Sequence, residues 1–210
     1  WLQAIQKYGA THSQAPNFAY ELCLRRIKPA KREGLDLSSW ISAGNAAEPI
    51  NPRVLREFAE AFEEYGFKWE NFSPAYGLAE ATLLVSSTPI GQEPVLLRLE
   101  ATALEKGKIT LAGAESSYVR EAVSCGPLVC ETNVAIVNPD TLMRCGADEV
   151  GEIWVRDPGV AHGYWQRPEA TGETFEAQIS GEEPERYLRT GDLGLDRKST
   201  RLNSSHRCIS

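Results

Sequence analysis

Apolar residues recur at helical spacing in three stretches of the first third of the chain. They predict helices over residues 1–8, 18–27 and 54–62, the last with Asn51 as its N-cap and Pro52 in its first turn. An apolar run at residues 39–44 predicts a short buried strand that ends at a glycine. Strand, loop, helix and strand in this order predict an α/β fold, a parallel sheet with flanking helices, in which ligands lie beyond the carboxyl ends of the strands.

From about residue 89 the pattern changes from helical to β-rich. Short runs separated by Pro, Gly, Asn and Asp predict strands at residues 95–99, 108–111, 119–124, 134–137 and 152–155. Turn sequences at residues 138–141 and 146–151 indicate that the flanking strands pair antiparallel, and a short helix is expected over residues 167–175. We therefore predict an α/β sheet subdomain at residues 1–88 and a β-rich, barrel-like subdomain at residues 89–196.

Residues 197–210 differ in kind from the rest of the chain. They hold four basic residues and no acidic ones, and they show no apolar period. We predict that this segment is a non-native tail, without a strand that pairs with the preceding sheet.

Composition narrows the class of partner. The chain has 210 residues and a formal net charge of -7, which argues against nucleic acid or an anionic membrane surface as its main partner. It contains no run of about 18 apolar residues, so no membrane span is predicted, and its start lacks the pattern of a signal peptide. Five scattered cysteines favour reduced thiols and hence a cytoplasmic location, with Cys125 and Cys130 as metal ligands the alternative.

One stretch gathers an aromatic ring, a glycine and a carboxylate within five residues, where a strand runs into a turn. Tyr76 can offer a flat ring to a purine, and Gly77 can adopt a positive φ and let the backbone approach a ligand closely. Glu80 supplies the hard oxygen that a magnesium ion bridging phosphates needs. The alternative is a plain Tyr-Gly turn followed by a solvated carboxylate.

A second carboxylate stands in a similar position later in the chain. Asp192 follows Thr-Gly at the end of a predicted strand, where its oxygens can accept hydrogen bonds from both hydroxyls of a ribose. Considered alone, Thr-Gly-Asp is equally a turn stabilised by its aspartate. His12, in a polar stretch, is interpreted as a loop residue rather than a catalytic base.

These stretches match a known pattern. Tyr-Gly-Leu-Ala-Glu-Ala-Thr-Leu at residues 76–83 resembles the nucleotide-binding motif of the adenylate-forming superfamily of acyl and aryl ligases, in the form of its fatty acyl-AMP ligase branch. Most of the superfamily has Thr where this chain has Ala79, a departure that fits the branch. Tyr-Leu-Arg-Thr-Gly-Asp-Leu-Gly at residues 187–194 resembles the superfamily's ribose-binding motif.

Further stretches extend the resemblance over residues 1–196. Residues 150–155 and 163–171 match two family segments, and we assign their aromatic residues to the core: Trp154, Tyr164 and Trp165. Residues 88–118 are similar to the region in which fatty acyl-AMP ligases carry an insertion, which is thought to limit the domain rotation needed for a coenzyme A step.

The resemblance also implies ligand contacts in the first half of the chain. Asn45, Ala46 and Ala47 lie in a segment that is similar to the loop lining the adenine pocket, where Gly is usual in place of Ala46. Residues 15–20 resemble the acyl-pocket segment, so that Phe18 either lines an acyl tunnel or packs in the core.

The implied function is that of a ligase fragment that activates a fatty acid with ATP and Mg²⁺ to an acyl-adenylate. In the family the acyl group then passes to an acyl-carrier protein or polyketide synthase. The family's phosphate loop and catalytic lysine are expected outside this chain, so no catalytic residue is assigned and the chain alone is expected to be inactive. The alternatives are a coenzyme A ligase, a peptide-synthetase adenylation domain, or a non-catalytic nucleotide-binding remnant.

Overall fold

The computed structural model describes residues 1–196 and 208–209. Its helices and strands alternate in the first half of the chain, and strands dominate the second half. The helices are α1 (Leu2–Tyr8), α2 (Asn17–Arg26), α3 (Pro52–Phe62), α4 (Ala101–Leu104) and α5 (Pro168–Phe175). The strands are β1 (His12–Ala15), β2 (Ser42–Asn45), β3 (Phe72–Leu78), β4 (Leu83–Ser87), β5 (Leu96–Glu100), β6 (Val119–Val123), β7 (Asn133–Val137), β8 (Gly151–Arg156), β9 (Leu188–Asp196) and β10 (Cys208–Ile209).

The first sheet has the strand order β1-β2-β3-β4. Strands β1, β2 and β3 are parallel, with Ala15 beside Asn45 and Asn45 beside Pro74, and β4 returns antiparallel to β3. The carboxyl ends of three strands therefore meet at one edge, and the predicted α/β class is confirmed. His12 is interpreted from the sequence as a loop residue in a polar stretch, whereas it begins β1. That interpretation was wrong because β1 is a short edge strand whose side chains alternate between exposed and half-buried, which leaves no apolar run.

An aromatic core holds the helices on this sheet. Six rings are fully buried and contact one another in edge-to-face, tilted or stacked arrangements: Tyr20, Trp40, Phe58, Phe62, Phe67 and Phe72. Helix α3 contributes two of them, and its apolar spacing places all its buried side chains on one face. As predicted, the Asn51 side chain caps this helix by accepting the backbone N–H of Arg53 at 2.9 Å.

The second half of the chain forms open antiparallel sheets. Strands β7 to β10 form a four-stranded sheet in the order β10-β9-β8-β7, and β5 pairs with β6. Among the described residues no barrel closes. The strand expected at residues 108–111 is wrong, because Lys108 and Leu111 form only isolated bridges, to Glu149 and Leu99.

The tail prediction fails at one point. Cys208 and Ile209 form the strand β10, which pairs antiparallel with β9 opposite Asp196 and Leu195. Residues 197–207 and 210 lie outside the described part of the chain. The assignment of residues 197–210 as non-native stays a prediction.

A second apolar cluster draws on both halves of the chain. Tyr76 and Val85 from the β3–β4 hairpin pack with Ile136, Ile153 and Leu188 from the later sheet. The predicted boundary after residue 88 stays a prediction. No helix in residues 1–196 is long and apolar enough to cross a membrane.

Candidate functional site

A cavity of about 290 Å³ opens at the carboxyl ends of the parallel strands. Parallel sheets bind ligands at this edge, where loops from neighbouring strands converge. Its walls come from the ends of β1, β2 and β3 and from β4: Gln14, Ala15, Pro16, Ala46, Ala47, Ala75, Tyr76, Gly77, Leu83 and Leu84. Four residues predicted to contact the nucleotide therefore line one cavity: Ala46 and Ala47 in the loop after β2, and Tyr76 and Gly77 on β3.

Helix α2 holds the loop that follows β2. The buried hydroxyl of Tyr20 donates to the carbonyl oxygen of Gly44 at 2.8 Å, and the pKa of this phenol is raised mainly by burial. At the start of the helix, the backbone N–H of Phe18 donates to the Glu48 carboxylate at 2.5 Å. A carboxylate suits this position because the first N–H groups of a helix have no partner within the helix. The loop that contains Ala46 and Ala47 is thus anchored on both sides.

Asn45 has an unusual environment at the end of β2. It is 0% exposed, and neither its side-chain nitrogen nor its side-chain oxygen has a hydrogen-bond partner among the described residues. A buried amide normally pairs with protein, water or ligand, because an unpaired polar group costs about 1–3 kcal/mol. Two residues further on, Ala47 adopts φ +71, a backbone conformation that favours glycine.

Tyr76 and Asp192 come from strands 116 residues apart and meet at this edge. The phenol of Tyr76 donates to Oδ2 of Asp192 at 2.8 Å. The Tyr76 ring is buried, and the ring lines the cavity, whereas the Asp192 side chain is exposed to solvent. The turn before Asp192 is fixed by the Thr190 hydroxyl, which accepts the Asp192 N–H at 3.1 Å and donates to the carbonyl of Ile153 at 2.7 Å.

Gly77 is required for a different reason from the one we expected. Its φ is not positive, and a Cβ at this position would lie 1.5 Å from the carbonyl oxygen of Leu83 across the hairpin. The register of β3 and β4 shifts between Tyr76 and Gly77, so the bulge brings the two backbones together. In the hairpin, positive φ values occur instead at Thr82, which precedes β4, and at Leu83, the first residue of β4.

Glu80 lies on a single 3-10 turn, Ala79–Ala81, between β3 and β4. Its Oε1 accepts the phenol of Tyr164 at 2.7 Å, and its backbone carbonyl accepts the N–H of Ala161 at 2.8 Å. The Thr82 hydroxyl donates to the carbonyl of Gly159. The loop after β8 therefore clamps the turn that carries this carboxylate.

The structure separates some of the predicted residues from the cavity. Phe18 is 57% exposed and does not line it, so the core alternative for Phe18 is wrong. Glu80, Asn45 and Asp192 also lie outside its lining. Trp154 is fully buried as predicted, but Tyr164 is 40% and Trp165 88% exposed, so the core assignment of these two was wrong. Both lie in the irregular segment before α5, outside the sheets that bury Trp154.

Comparison with known proteins decides the family. Residues 1–165 match the family model for AMP-binding enzymes. The chain belongs to this family. Its relatives include the medium-chain fatty acid–acyl-carrier-protein ligase JamA of Moorena producens, 52% identical over 199 residues, which cover 93% of this chain and 33% of JamA. A second, TtuA of Teredinibacter turnerae, carries the same enzyme name and is 36% identical over 92% of this chain and 31% of TtuA.

Solved structures of fatty acyl-AMP ligases confirm both the AMP-binding fold and the predicted branch. A fatty acid AMP ligase from Legionella pneumophila superimposes with a TM-score of 0.90 and 43% identity over 100% of this chain and 35% of that chain. A fatty acyl-adenylate ligase from the same species, in complex with acyl adenylate and pyrophosphate, gives a TM-score of 0.89 at 42% identity and the same coverage. The chain spans about a third of the length of these relatives.

The polar side chains at this edge are of the types that bind a nucleotide with a divalent cation. Tyr76 lines the cavity with its ring and donates to Oδ2 of Asp192, whose side chain is exposed. The buried Asn45 amide has no hydrogen-bond partner among the described residues. No group of three or more metal-type side chains occurs among the described residues. A single carboxylate such as Glu80 is nevertheless a usual protein ligand of Mg²⁺, because that ion keeps its waters and binds substrate phosphates.

Sequence reasoning missed the support of the Asp192 turn. The carboxylate of Glu152 on β8 accepts hydrogen bonds from Nη2 of Arg189 at 2.8 Å and from the backbone N–H of Gly191 at 3.0 Å. Gly191 has φ +73, so this hydrogen bond fixes a left-handed residue directly before Asp192. The available signal was a lone glutamate inside the apolar strand at residues 150–155, where a charge must be paired.

Proposed function

We propose that this chain is part of a ligase that activates a fatty acid with ATP, giving an acyl-adenylate and pyrophosphate. The observation that carries the proposal is the hydrogen bond between Tyr76 and Asp192 beside a cavity at the ends of three parallel strands. A buried ring on one side and an exposed carboxylate on the other suit a purine and its ribose. Relatives named as fatty acid ligases support the same substrates.

Each predicted residue has a role in this proposal. The loop after β2 contacts the base together with Tyr76 and Gly77 on β3. Asp192 accepts hydrogen bonds from the ribose hydroxyls, and Glu80 would bind Mg²⁺. Phe18 faces the acyl chain with its exposed ring. The proposed nucleotide contacts are Asn45, Ala46, Ala47, Tyr76, Gly77 and Asp192.

The chemistry is displacement at the α-phosphate of ATP by the fatty acid carboxylate. Glu80 would hold a Mg²⁺ ion, which would supply positive charge to neutralise the phosphates. The chain's own residues mainly hold the nucleotide in position, which is a large part of catalysis in phosphoryl and adenylyl transfer. We propose an acyl-carrier protein, as a domain of a polyketide synthase or alone, as the acceptor, and the cytoplasm as the location because the scattered thiols suit a reducing compartment.

Pyrophosphate release with a panel of fatty acids tests the function in a full-length protein that carries this sequence. Asp192→Ala and Glu80→Ala should each lower the rate by about 10²–10³, the usual effect of losing one group that stabilises charge. Asp140→Ala, in an exposed turn, is the matched control and should keep the wild-type rate. Full activity in both site variants would contradict the proposal.

Two further measurements separate the alternatives. Coenzyme A should not accelerate acyl release, and acyl-coenzyme A detected by mass spectrometry would assign the protein to the coenzyme A ligases. The 210-residue chain alone should form no acyl-adenylate, since the phosphate loop and catalytic lysine are expected elsewhere in the protein. Adenylation by the isolated chain would show that this expectation is wrong.

A further inference from the structure

Tyr164 is joined to Glu80 across 84 residues of sequence. Its phenol donates to Oε1 of the carboxylate at 2.7 Å, and no other hydrogen bond to this carboxylate is found among the described residues. One oxygen of Glu80 is therefore held by a neutral donor, while Oε2 stays available.

The Tyr164 ring is itself fixed. It contacts Phe175 edge-to-face, with ring centroids 5.1 Å apart, and its backbone N–H donates to Oγ1 of Thr171 at 3.0 Å. Gly163 makes this close packing on α5 possible, because a Cβ at residue 163 would lie 2.2 Å from Cγ2 of Thr171. A donor whose ring and backbone are both held restricts the rotamers of the carboxylate that it binds.

We propose that Tyr164 is a positioning residue that orients the Glu80 carboxylate for a divalent cation. The inference rests on the proposed function, in which Glu80 binds Mg²⁺. Partners that hydrogen-bond metal ligands reduce the entropy lost on binding and fix the ligand's direction, and their loss typically lowers metal affinity about 10- to 100-fold. The competing explanation is a surface hydrogen bond that contributes only to folding and leaves metal affinity unchanged.

The chain offers a matched control for this test. Tyr118 is also partly exposed, and its phenol donates to Oε1 of Glu105 at the same 2.7 Å. Tyr164→Phe and Tyr118→Phe therefore remove the same kind of bond while keeping each ring. Each variant keeps its aromatic ring, and Tyr164→Phe also keeps the contact with Phe175. Both variants should therefore fold and have melting temperatures within a few degrees of each other.

Metal binding is measured directly in the full-length protein. Mn²⁺, which accepts the same oxygen ligands as Mg²⁺, is titrated in the presence of a non-hydrolysable ATP analogue and followed by electron paramagnetic resonance. We expect Tyr164→Phe to raise the Kd of Mn²⁺ about tenfold, at the lower end of the range for such partners. Tyr118→Phe should leave the Kd unchanged. Equal Kd values in wild type and both variants would overturn the proposal.

A double-mutant cycle shows whether Tyr164 acts through Glu80. Glu80→Gln removes the charge but can still accept the phenol, and adding Tyr164→Phe to it should cause no further loss of Mn²⁺ affinity. Additive effects would overturn the proposal. Pyrophosphate release, measured on the same preparations, distinguishes failure of this proposal from failure of the proposed function. If Tyr164→Phe releases pyrophosphate and its Kd for Mn²⁺ is unaltered, only the role of Tyr164 is refuted. If the wild type binds Mn²⁺ but releases no pyrophosphate, only the ligase function is refuted.

Discussion

Glu152 and Arg189 form an ion pair on adjacent strands, with Oε2 of Glu152 2.8 Å from Nη2 of Arg189. The glutamate is only 4% exposed, whereas the Arg189 side chain reaches solvent. The same carboxylate accepts the backbone N–H of Gly191. The pair therefore connects the interior of the β7–β10 sheet to the turn that presents Asp192.

Glu152→Gln should lower the free energy of unfolding by about 2 kcal/mol at neutral pH. Breaking a fully buried ion pair costs about 3–5 kcal/mol, and the exposure of Arg189 reduces this figure. Glu182→Gln is the control, since Glu182 and Arg144 make a similar two-bond pair at the surface, where such pairs contribute about 0–1 kcal/mol. Urea unfolding measures both, and equal losses would contradict the buried role of Glu152.

The Glu152 pair should also make stability depend on pH. Burial alone would raise the pKa of Glu152, but the hydrogen bonds from Arg189 and Gly191 outweigh it and hold the pKa below its usual value. A lowered pKa adds stability that is fully present above the unfolded-state pKa of about 4.3 and is lost as pH falls through the folded-state value. Urea curves should therefore converge for wild type and Glu152→Gln in acid, and a constant difference down to about pH 3 would refute this assignment.

Tyr76→Phe should weaken nucleotide binding without unfolding the protein. The variant keeps the ring at the cavity but removes the donor to Oδ2 of Asp192, a bond worth about 0.5–1.5 kcal/mol. We expect the Kd of AMP to rise about 2- to 10-fold in calorimetric titrations of the full-length protein, since 1.4 kcal/mol is a factor of ten. Tyr118→Phe is again the control, and an AMP affinity equal to wild type in Tyr76→Phe would show that the bond does not orient Asp192.

How much of this site could be predicted from the sequence depends on how far apart in sequence the contacting residues lie. Tyr76 and Gly77 were placed at a strand end because local apolar runs and turn residues define β3. The clamp between Glu80 and Tyr164 could not be predicted, since it joins residues 84 positions apart and the match of residues 163–171 to a family segment does not show whether the fold exposes Tyr164. The burial of Glu152 likewise depends on which strands pair, and the edge strand β1 has no apolar run to indicate it.

Ala47→Gly should stabilise the protein by about 1 kcal/mol. Ala47 has φ +71, and an L-residue with a Cβ is about 1–2 kcal/mol less stable than glycine in this region, part of which is offset by the greater freedom of glycine in the unfolded chain. Ala46→Gly is the control, because its φ is not positive and glycine there should be neutral or destabilising. Thermal and urea unfolding would contradict the strain at Ala47 if both variants lost stability equally.

Gly77→Ala should destabilise the hairpin that carries Tyr76 and Glu80. The new Cβ would lie 1.5 Å from the Leu83 carbonyl oxygen, and because that atom belongs to the backbone, the two strands must move apart. Overpacking typically costs about 1–3 kcal/mol, and we expect a loss of at least about 3 kcal/mol here. The separation should also weaken AMP binding through Tyr76.

Gly172→Ala is the same substitution, but it should raise the free energy of unfolding instead of lowering it. Gly172 lies inside α5, and a Cβ there meets no atom within 4 Å. Alanine should therefore stabilise the helix by about 0.5–1 kcal/mol, because glycine loses more backbone freedom on folding. Urea unfolding of both variants shows whether the loss in Gly77→Ala comes from the close approach of the two backbones or from replacing any glycine. A gain of stability in Gly77→Ala would mean that the bulge can open at no cost.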